Sequence, residues 1–500
     1  MPTPSFVIGI DQGTSGSRAL ILDREGQVRG YGYRPLARLY PEAGRVEQDP
    51  YAVAATVSDA MSEALRQAGI TPSEVAAVGL ASQRNTDFAW DAHTRRPVGN
   101  AITWQDLRTV DLVAELSGWP EAVNWRERLG YFPGPWSSAM HLAWRMRHDR
   151  AFADAAHTGA LRVGPSAEWL LVALGEARDH AADLSLVQQM GMYDFRAHCY
   201  WEEWLARLGV PRSILPDAVP TVRDHGVLRL TGPNGEEADV PVLAMIGDQQ
   251  AALYGYDCRQ AGDAECTHGT ATFVDVCTGS HAPQQERINV YYAWEIDGEI
   301  TYCMEADATV TGAAIRWMRE SARLFDRDEE VGPLAGSVPD AGGVVFVPAF
   351  TGLNVPYNDV NARGTILGLT LGSHRGHILR AFLEALGYQV RAILETIAAQ
   401  ADIHVGQLYL GGGVSANDLA CQIQADMLGI PTVRPAFTET TARAAALLAG
   451  VGAGVWPHGA LPPLPSAVTV FEPRLSADER DAGYARWQRA VETVRSWGNG

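Results

Sequence analysis

An aspartate at the end of an unbroken apolar run is the first place in this chain where chemistry could be done. Val242-Leu243-Ala244-Met245-Ile246 runs into Gly247-Asp248, and helix-forming residues follow from Gln249 to Tyr254. A run of this kind predicts a buried parallel strand, and a carboxylate at its carboxyl end faces the crevice where open α/β sheets bind ligands. Asp248 is therefore a candidate general base for a substrate hydroxyl; the alternative is a helix N-cap without chemistry. Val75-Ala76-Ala77-Val78-Gly79-Leu80-Ala81 reads as another buried strand, followed by Ser82-Gln83-Arg84-Asn85. That places Arg84 at a strand end in one half of the chain and Asp248 at the corresponding position in the other.

Small-residue turns supply the second set of candidates. Asp11-Gln12-Gly13-Thr14-Ser15-Gly16-Ser17-Arg18 joins the apolar strands Phe6-Val7-Ile8-Gly9-Ile10 and Ala19-Leu20-Ile21-Leu22. Such a hairpin can aim several backbone amides and hydroxyls at one point and form an anion nest, or serve only as a turn. The pattern returns in Glu265-Cys266-Thr267, His268-Gly269-Thr270-Ala271-Thr272 and Phe273-Val274-Asp275-Val276. Leu408-Tyr409-Leu410 enters Gly411-Gly412-Gly413-Val414-Ser415-Ala416-Asn417 and a helix follows, which makes either an anion site at a helix N-terminus or a tight packing turn. Thr311-Gly312-Ala313-Ala314-Ile315-Arg316 reads as a further helix start with glycine near its N-terminus.

The elements that must position these turns are strands and helices in alternation. Asp49-Pro50 opens a helix over residues 51–68, residues 110–225 read as mostly helical, and residues 377–399 as a strongly periodic helix. Ser476-Ala477-Asp478-Glu479 is a capping box for the last helix. Trp136, on the Pro-marked loop Gly134-Pro135-Trp136-Ser137-Ser138, is placed near a ligand, and the other tryptophans of that region in the core. Two halves that each repeat strand, small-residue turn and strand predict two related domains facing each other across a cleft.

Composition narrows the chemistry. A chain of 500 residues calls for two domains or more. The net charge of -19 argues against nucleic acid or an anionic membrane as partner. No apolar run is long enough for a membrane span, and Met1-Pro2-Thr3-Pro4-Ser5 lacks a basic leader region. The six cysteines form no C-x-x-C pair, as expected of reduced thiols in a cytoplasmic protein. There is no lysine; all 40 basic residues are arginines. That excludes Schiff bases, the Walker A and protein-kinase lysines, and the Ser-x-x-Lys nucleophile. Phosphates would be held by amides, hydroxyls, arginine and a metal, with Mg²⁺ held through water by a carboxylate such as Asp11.

The chain also resembles a known family, the FGGY carbohydrate kinases of the actin/Hsp70/hexokinase superfamily, and within it the glycerol kinases most. The similarity runs nearly end to end. It is carried by Asp11-Gln12-Gly13-Thr14, Ser82-Gln83-Arg84, Trp104-Gln105-Asp106, Gly247-Asp248-Gln249-Gln250-Ala251-Ala252-Leu253, Phe346-Val347-Pro348-Ala349-Phe350-Thr351-Gly352-Leu353, Ala362-Arg363-Gly364-Thr365-Ile366 and Gly412-Gly413 with Asn417. The resemblance implies two RNase H-like α/β domains, a polyol- or sugar-binding domain over residues 1–247 and a nucleotide-binding domain over 248–500, with ATP and Mg²⁺ between them. It implies Asp248 as base and Arg84, Asn85, Trp104, Trp136 and Gln249 on the acceptor. Thr14, Ser15, Arg18, Gly269, Thr270, Gly312, Arg316, Gly413 and Asn417 match nucleotide-side positions, Arg316 standing where the family usually has glutamine. A homo-oligomer, dimer or tetramer, is the expected assembly.

The departures lie on the acceptor side. Glycerol kinases have Arg-Glu where this chain has Arg84-Asn85, and tyrosine where it has Trp136. Replacing a charged acceptor by an amide removes about 1.5–3 kcal/mol of hydrogen bonding to substrate hydroxyls. Asp183-Leu184-Ser185-Leu186-Val187-Gln188-Gln189 also departs from the family's small, polar run there. The expected activity is ATP-dependent phosphorylation of a primary hydroxyl of a small polyol, glycerol or a related one such as a tetritol. The alternatives are a ketose kinase of the xylulose type and, in another class, a nucleotide-driven interaction ATPase, against which Arg84 and Asp248 argue.

Overall fold

The apolar runs do form buried strands. The computed structural model describes residues 5–284, 287–308, 310–464 and 467–498; Met1 to Pro4, on which the leader expectation rests, lie outside these. By contacts the chain divides into two compact units. The first comprises Met1–Asp257, Tyr291–Tyr302 and Glu439–Pro465, and the second Cys258–Val290, Cys303–Thr438 and Ser466–Gly500.

In the first unit a seven-stranded sheet runs in the order Val28–Pro35, Gly16–Leu22, Phe6–Gln12, Val75–Ser82, Glu237–Gly247, Val222–Thr231, Gly175–Ala177. The three central strands are parallel and the outer ones antiparallel. The helix Pro50–Ala68 starts where expected, with Asp49 accepting from the Tyr51 N–H at 2.8 Å. The alanine-rich helix Thr440–Gly452 lies against the central strands, and a glycine pair lets it approach. Gly9 and Gly79 are register partners, and a Cβ on either would come within 1.8–1.9 Å of the backbone oxygens of Ala442 and Ala445. Residues 110–225 are less helical than expected; their helices alternate with short strands such as Leu161–Pro165 and Ala181–Asp183.

The strand bearing Asp248 pairs in parallel with the strand bearing Arg84. This corrects their expected placement in opposite halves. Both stand at neighbouring strand ends of one sheet, because a non-local parallel pairing joins runs that lie far apart in sequence.

In the second unit the strand order is the 303–308 segment, Thr272–Gly279, Ala264–His268, Leu408–Gly411, Thr432–Pro435 and Val468–Phe471. Ala264–His268 and Thr272–Gly279 form the expected hairpin, and Leu408–Gly411 runs parallel to the first of them. The periodic helix spans Arg375–Ala401 and packs Phe382 on Phe346, with ring centroids 5.6 Å apart. The last helix, Ala477–Gly498, follows the capping box: Ser476 N–H donates to Glu479 Oε2 at 3.0 Å, and Glu479 N–H to Ser476 Oγ at 3.3 Å. All six cysteines are free thiols. No described helix is long and apolar enough to cross a membrane.

Candidate active site

Three parallel strands of the first unit end level with one another. Gln12 lies opposite Ser82, and Ser82 opposite Gly247, so Asp11, Arg84 and Asp248 project from adjacent strand ends. Arg84 Nε lies 3.5 Å from Asp248 Oδ1, with side chains 11% and 25% exposed. The Arg84 guanidinium also rests 5.6 Å from the centre of the Tyr291 ring. The N-cap position of the following helix is Gly247, and Asp248 is its first helical residue. The N-cap alternative for Asp248 is thus not the one realised. Its carboxylate accepts from the Gln249 N–H at 2.9 Å, and Gln249 stands half-buried beside it.

A buried relay holds this turn. The Gly247 N–H donates to Ser185 Oγ at 2.8 Å, and the Ser185 hydroxyl donates to Asp183 Oδ1 at 2.9 Å. Asp183 also accepts from the Leu186 N–H and the Thr221 hydroxyl, while burial pushes its carboxyl up to about 7. The run 183–189, which departs from the family pattern, thus forms a short buried helix that fixes the backbone under Asp248. Ser185→Ala should leave the Gly247 N–H buried and unsatisfied, at about 1–3 kcal/mol of stability. A denaturant midpoint would read that loss, and kcat should fall while the KM for ATP does not move. An unchanged midpoint would show that the bond is dispensable.

Asp11 is largely enclosed, its side chain 13% exposed, and its carboxyl is pushed up to about 7. Burial is the main cause; the Arg18 charge opposes it, and the Asp248 and Glu439 carboxylates add to it. Arg18 bridges Asp11 at 3.2 Å and Glu439 at 3.1 Å. Thr14 is tied directly to Trp104, whose indole N–H donates to its hydroxyl at 2.8 Å, and that hydroxyl donates to Gln83 at 3.2 Å. Ser15 is exposed at the tip of the hairpin. Asn85 is buried beside Arg84 with a positive φ of 55°, and Trp136 stacks on Tyr131 at 5.4 Å.

The second-unit candidates surround one cavity of about 690 Å³, lined by Gly269, Thr270, Gly312, Arg316, Gly413 and Asn417 among others. Gly312 donates to the Gly269 carbonyl and Thr311 to that of Thr270, which seats the helix Gly312–Glu320 on the hairpin turn. The Asn417 carbonyl oxygen caps the next helix, accepting from Leu419 N–H at 3.0 Å and Ala420 N–H at 3.4 Å. Glycine turns, a threonine hydroxyl and an arginine around a cavity of this size suit a phosphate-bearing ligand.

His268, at the base of the turn, is clamped between the Thr272 hydroxyl at 2.7 Å and the Gln424 side chain at 2.8 Å. Burial lowers its pKa to about 4. An imidazole with a depressed folded-state pKa stabilises the fold fully above its unfolded value near 6.5, and loses that contribution as pH falls towards 4. The ring should stay neutral down to about pH 4 in an NMR titration. A midpoint near 6.5 would mean that the clamp is open to water.

Mg²⁺ takes oxygen ligands and few protein carboxylates, usually one or two, beside the phosphates. No group of three or more His, Cys, Asp or Glu residues able to cage a metal occurs among the described residues. Asp11, a largely enclosed carboxylate near Asp248 and Glu439, fits attachment of such an ion through water.

Glu439, Tyr291 and Tyr131 belong to these sites and sequence reasoning did not find them; Ser185, Gln189 and His268 were marked only as members of the runs 183–189 and 268–272, with no role of their own. Glu439 and Tyr291 reach the sheet from far along the chain, with no local pattern to mark them. The Asp183-x-Ser185 spacing of an N-cap was the one available signal.

Comparisons with known proteins bear on both units. The family model for the FGGY family of carbohydrate kinases, N-terminal domain, matches residues 6–255, and that for the C-terminal domain matches residues 264–453. The chain is 40% identical over 496 residues to the glycerol kinase of Symbiobacterium thermophilum, covering 98% of this chain and 99% of that one. It is 39% identical to the glycerol kinase of Thermus brockianus over 493 residues, 98% of this chain and 99% of that one. Among solved structures, Plasmodium falciparum glycerol kinase with ADP aligns with a TM-score of 0.90 at 24% identity, covering 98% of each chain. Xylulose kinase from Rhodospirillum rubrum aligns with a TM-score of 0.86 at 22% identity, covering 99% of this chain and 100% of that one. These two likenesses bear on the fold.

Proposed function

Because this chain belongs to the FGGY family of carbohydrate kinases, we propose that it transfers the terminal phosphoryl group of ATP to a primary hydroxyl of a small polyol. Glycerol, or a related polyol such as a tetritol, is the acceptor. The observation that carries this reading is the Arg84–Asp248 pair, 3.5 Å apart and largely enclosed at adjacent strand ends.

Phosphoryl transfer asks little covalent chemistry of a protein; positioning and charge stabilisation do most of the work. Asp248 accepts the proton of the attacking hydroxyl, and Arg84 holds both that carboxylate and the hydroxyl oxygen in place. Thr14, Ser15 and Arg18 are the nucleotide-side residues of the first unit, and Gly269, Thr270, Gly312, Arg316, Gly413 and Asn417 those of the second. In this reading the acceptor belongs to the first unit and the base of the nucleotide to the second. Asp11 would hold Mg²⁺ through water, and the ion would supply neutralisation of phosphate charge. The absence of lysine leaves Arg18 and Arg316 as the cationic partners of the phosphates.

A coupled ADP-release assay over a panel of polyols and ketoses tests this. Acceptor-dependent turnover on a polyol is expected. Preference for a ketose would favour the xylulose-type alternative, and no turnover on any acceptor by folded enzyme would overturn the kinase reading.

A further inference from the structure

Beside Arg84, two buried amides meet. The Asn85 side-chain N–H donates to Gln189 Oε1 at 3.2 Å. Each residue keeps a polar atom that meets no partner among the described residues, Asn85 Oδ1 and Gln189 Nε2, although the residues are only 9% and 2% exposed. Interchanging O and N in both amides reverses the bond but leaves the same remainder, one carbonyl oxygen and one amino group. Buried polar atoms left unmet cost about 1–3 kcal/mol each. Two of them next to Arg84 and Asp248 leave one donor and one acceptor open to a bound hydroxyl.

We infer that Asn85 and Gln189 form a neutral clamp for a hydroxyl beyond the reacting end of the acceptor, and that the clamp selects a polyol of four or more carbons over glycerol. This rests on the polyol-kinase reading of the site. A hydroxyl is the small group that donates and accepts at once; a carboxylate would face the carbonyl oxygen, and an ammonium the amino group. The clamp is held rigidly. Asn85 is fixed by its left-handed backbone, and the Tyr131 hydroxyl donates to the Gln189 backbone oxygen at 2.8 Å. Trp136, stacked on Tyr131 with an interplanar angle of 25°, adds a flat apolar wall of the kind that packs on the C–H face of a polyol.

Asp87 extends the polar lining. It is 9% exposed, and burial pushes its carboxyl up to about 6 against the opposing effect of the Ser138 hydroxyl. The Tyr131 phenol lies within electrostatic range of both Arg84 and Asp87. Glycerol has two hydroxyls besides the one phosphorylated. The Arg84–Asp248 pair can engage the nearer, and the amide pair with Asp87 offers more polar partners than the last one can meet.

The test compares wild type with Gln189→Met, which keeps length and removes both polar atoms, and with Gln189→Glu, which removes the donor alone. Steady-state constants are measured on glycerol, erythritol, threitol, ribitol and xylulose at saturating ATP. Wild type should favour a four- or five-carbon polyol over glycerol by about tenfold or more in kcat/KM. Both variants should raise KM for that polyol by about tenfold, equivalent to about 1.4 kcal/mol, with a clearly smaller rise for glycerol and the KM for ATP within about twofold. Equal losses on every acceptor, or a wild-type preference for glycerol, would overturn the clamp. If Gln189→Met does not fold, as judged by circular dichroism, Gln189→Glu decides. If wild type phosphorylates nothing, the kinase reading fails, and thermal shifts with the same polyols judge the clamp. A shift with a longer polyol that Gln189→Glu abolishes supports it, and no shift overturns it.

Discussion

Asp248→Asn is expected to lower kcat by about 10²–10⁴-fold while leaving ATP affinity within about twofold. The substitution keeps the shape of the side chain and the oxygen that accepts from the Gln249 N–H, so the turn should survive. What it removes is the basicity needed to take the hydroxyl proton, and the charge facing Arg84 at 3.5 Å. The substituted amide would still lie beside the guanidinium, but as a neutral dipole, so Arg84 would lose its fixed orientation as well. Coupled ADP release gives kcat, and calorimetric titration gives ATP affinity. A loss of less than about tenfold would mean that another group accepts the proton. Equal losses in turnover and ATP affinity would point to a structural role for Asp248.

The second large effect is expected at Gly412. Its φ of 80° and ψ of 171° lie in a region that only glycine occupies readily. A Cβ there would stand 2.3 Å from the His268 backbone oxygen and 2.8 Å from its nitrogen. That backbone cannot give way, because the His268 ring is clamped on both nitrogens. Gly412→Ala should therefore destabilise the second unit by about 1–3 kcal/mol from backbone strain alone, with the clash added. It should also weaken ATP binding by about tenfold or more, because the turn it distorts carries Gly413 and Asn417 to the cavity. Gly413→Ala is the control. A Cβ at Gly413 meets nothing within 4 Å, so the melting temperature should hold even if nucleotide affinity falls. Matching melting curves for Gly412→Ala and wild type would show that the hairpin can move aside.

The two predictions probe different halves of the chemistry, and the clamp proposal probes a third part. Asp248→Asn tests the proposed proton transfer and Gly412→Ala the proposed nucleotide cavity. The Gln189 variants test the proposed choice of polyol. Ser185 stands behind the first of these, since its bond to the Gly247 N–H anchors the residue before the base.

Much of this was legible in the sequence where the signal is local. The short apolar run before Gly247-Asp248 read as a buried parallel strand, and the strand Glu237–Gly247 is one. The glycine turn at 411–413 had to be irregular, because such φ values exclude side chains. The Ser476 capping box marked its helix within one residue. The lack of lysine restricted phosphate binding to arginine, amides and hydroxyls before any fold was known.

Other features depended on contacts between residues distant in the chain. Periodicity shows which face of a strand is buried but not which strand lies beside it, so only the tertiary structure put Arg84 and Asp248 at adjacent ends of one sheet. The same holds for Glu439 on Arg18, Tyr291 under Arg84 and Ser185 on Gly247, whose pairings leave no mark at short range. Asn85 could be read as a departure from a family pattern. That it meets Gln189, and that the pair leaves one donor and one acceptor over, follows from the geometry of side chains 104 positions apart. Residue type and spacing singled out Asp248 and the small-residue turns as candidates. Which distant polar groups are buried together was decided by the tertiary structure, because side chains 104 positions apart, such as Asn85 and Gln189, meet only through long-range packing.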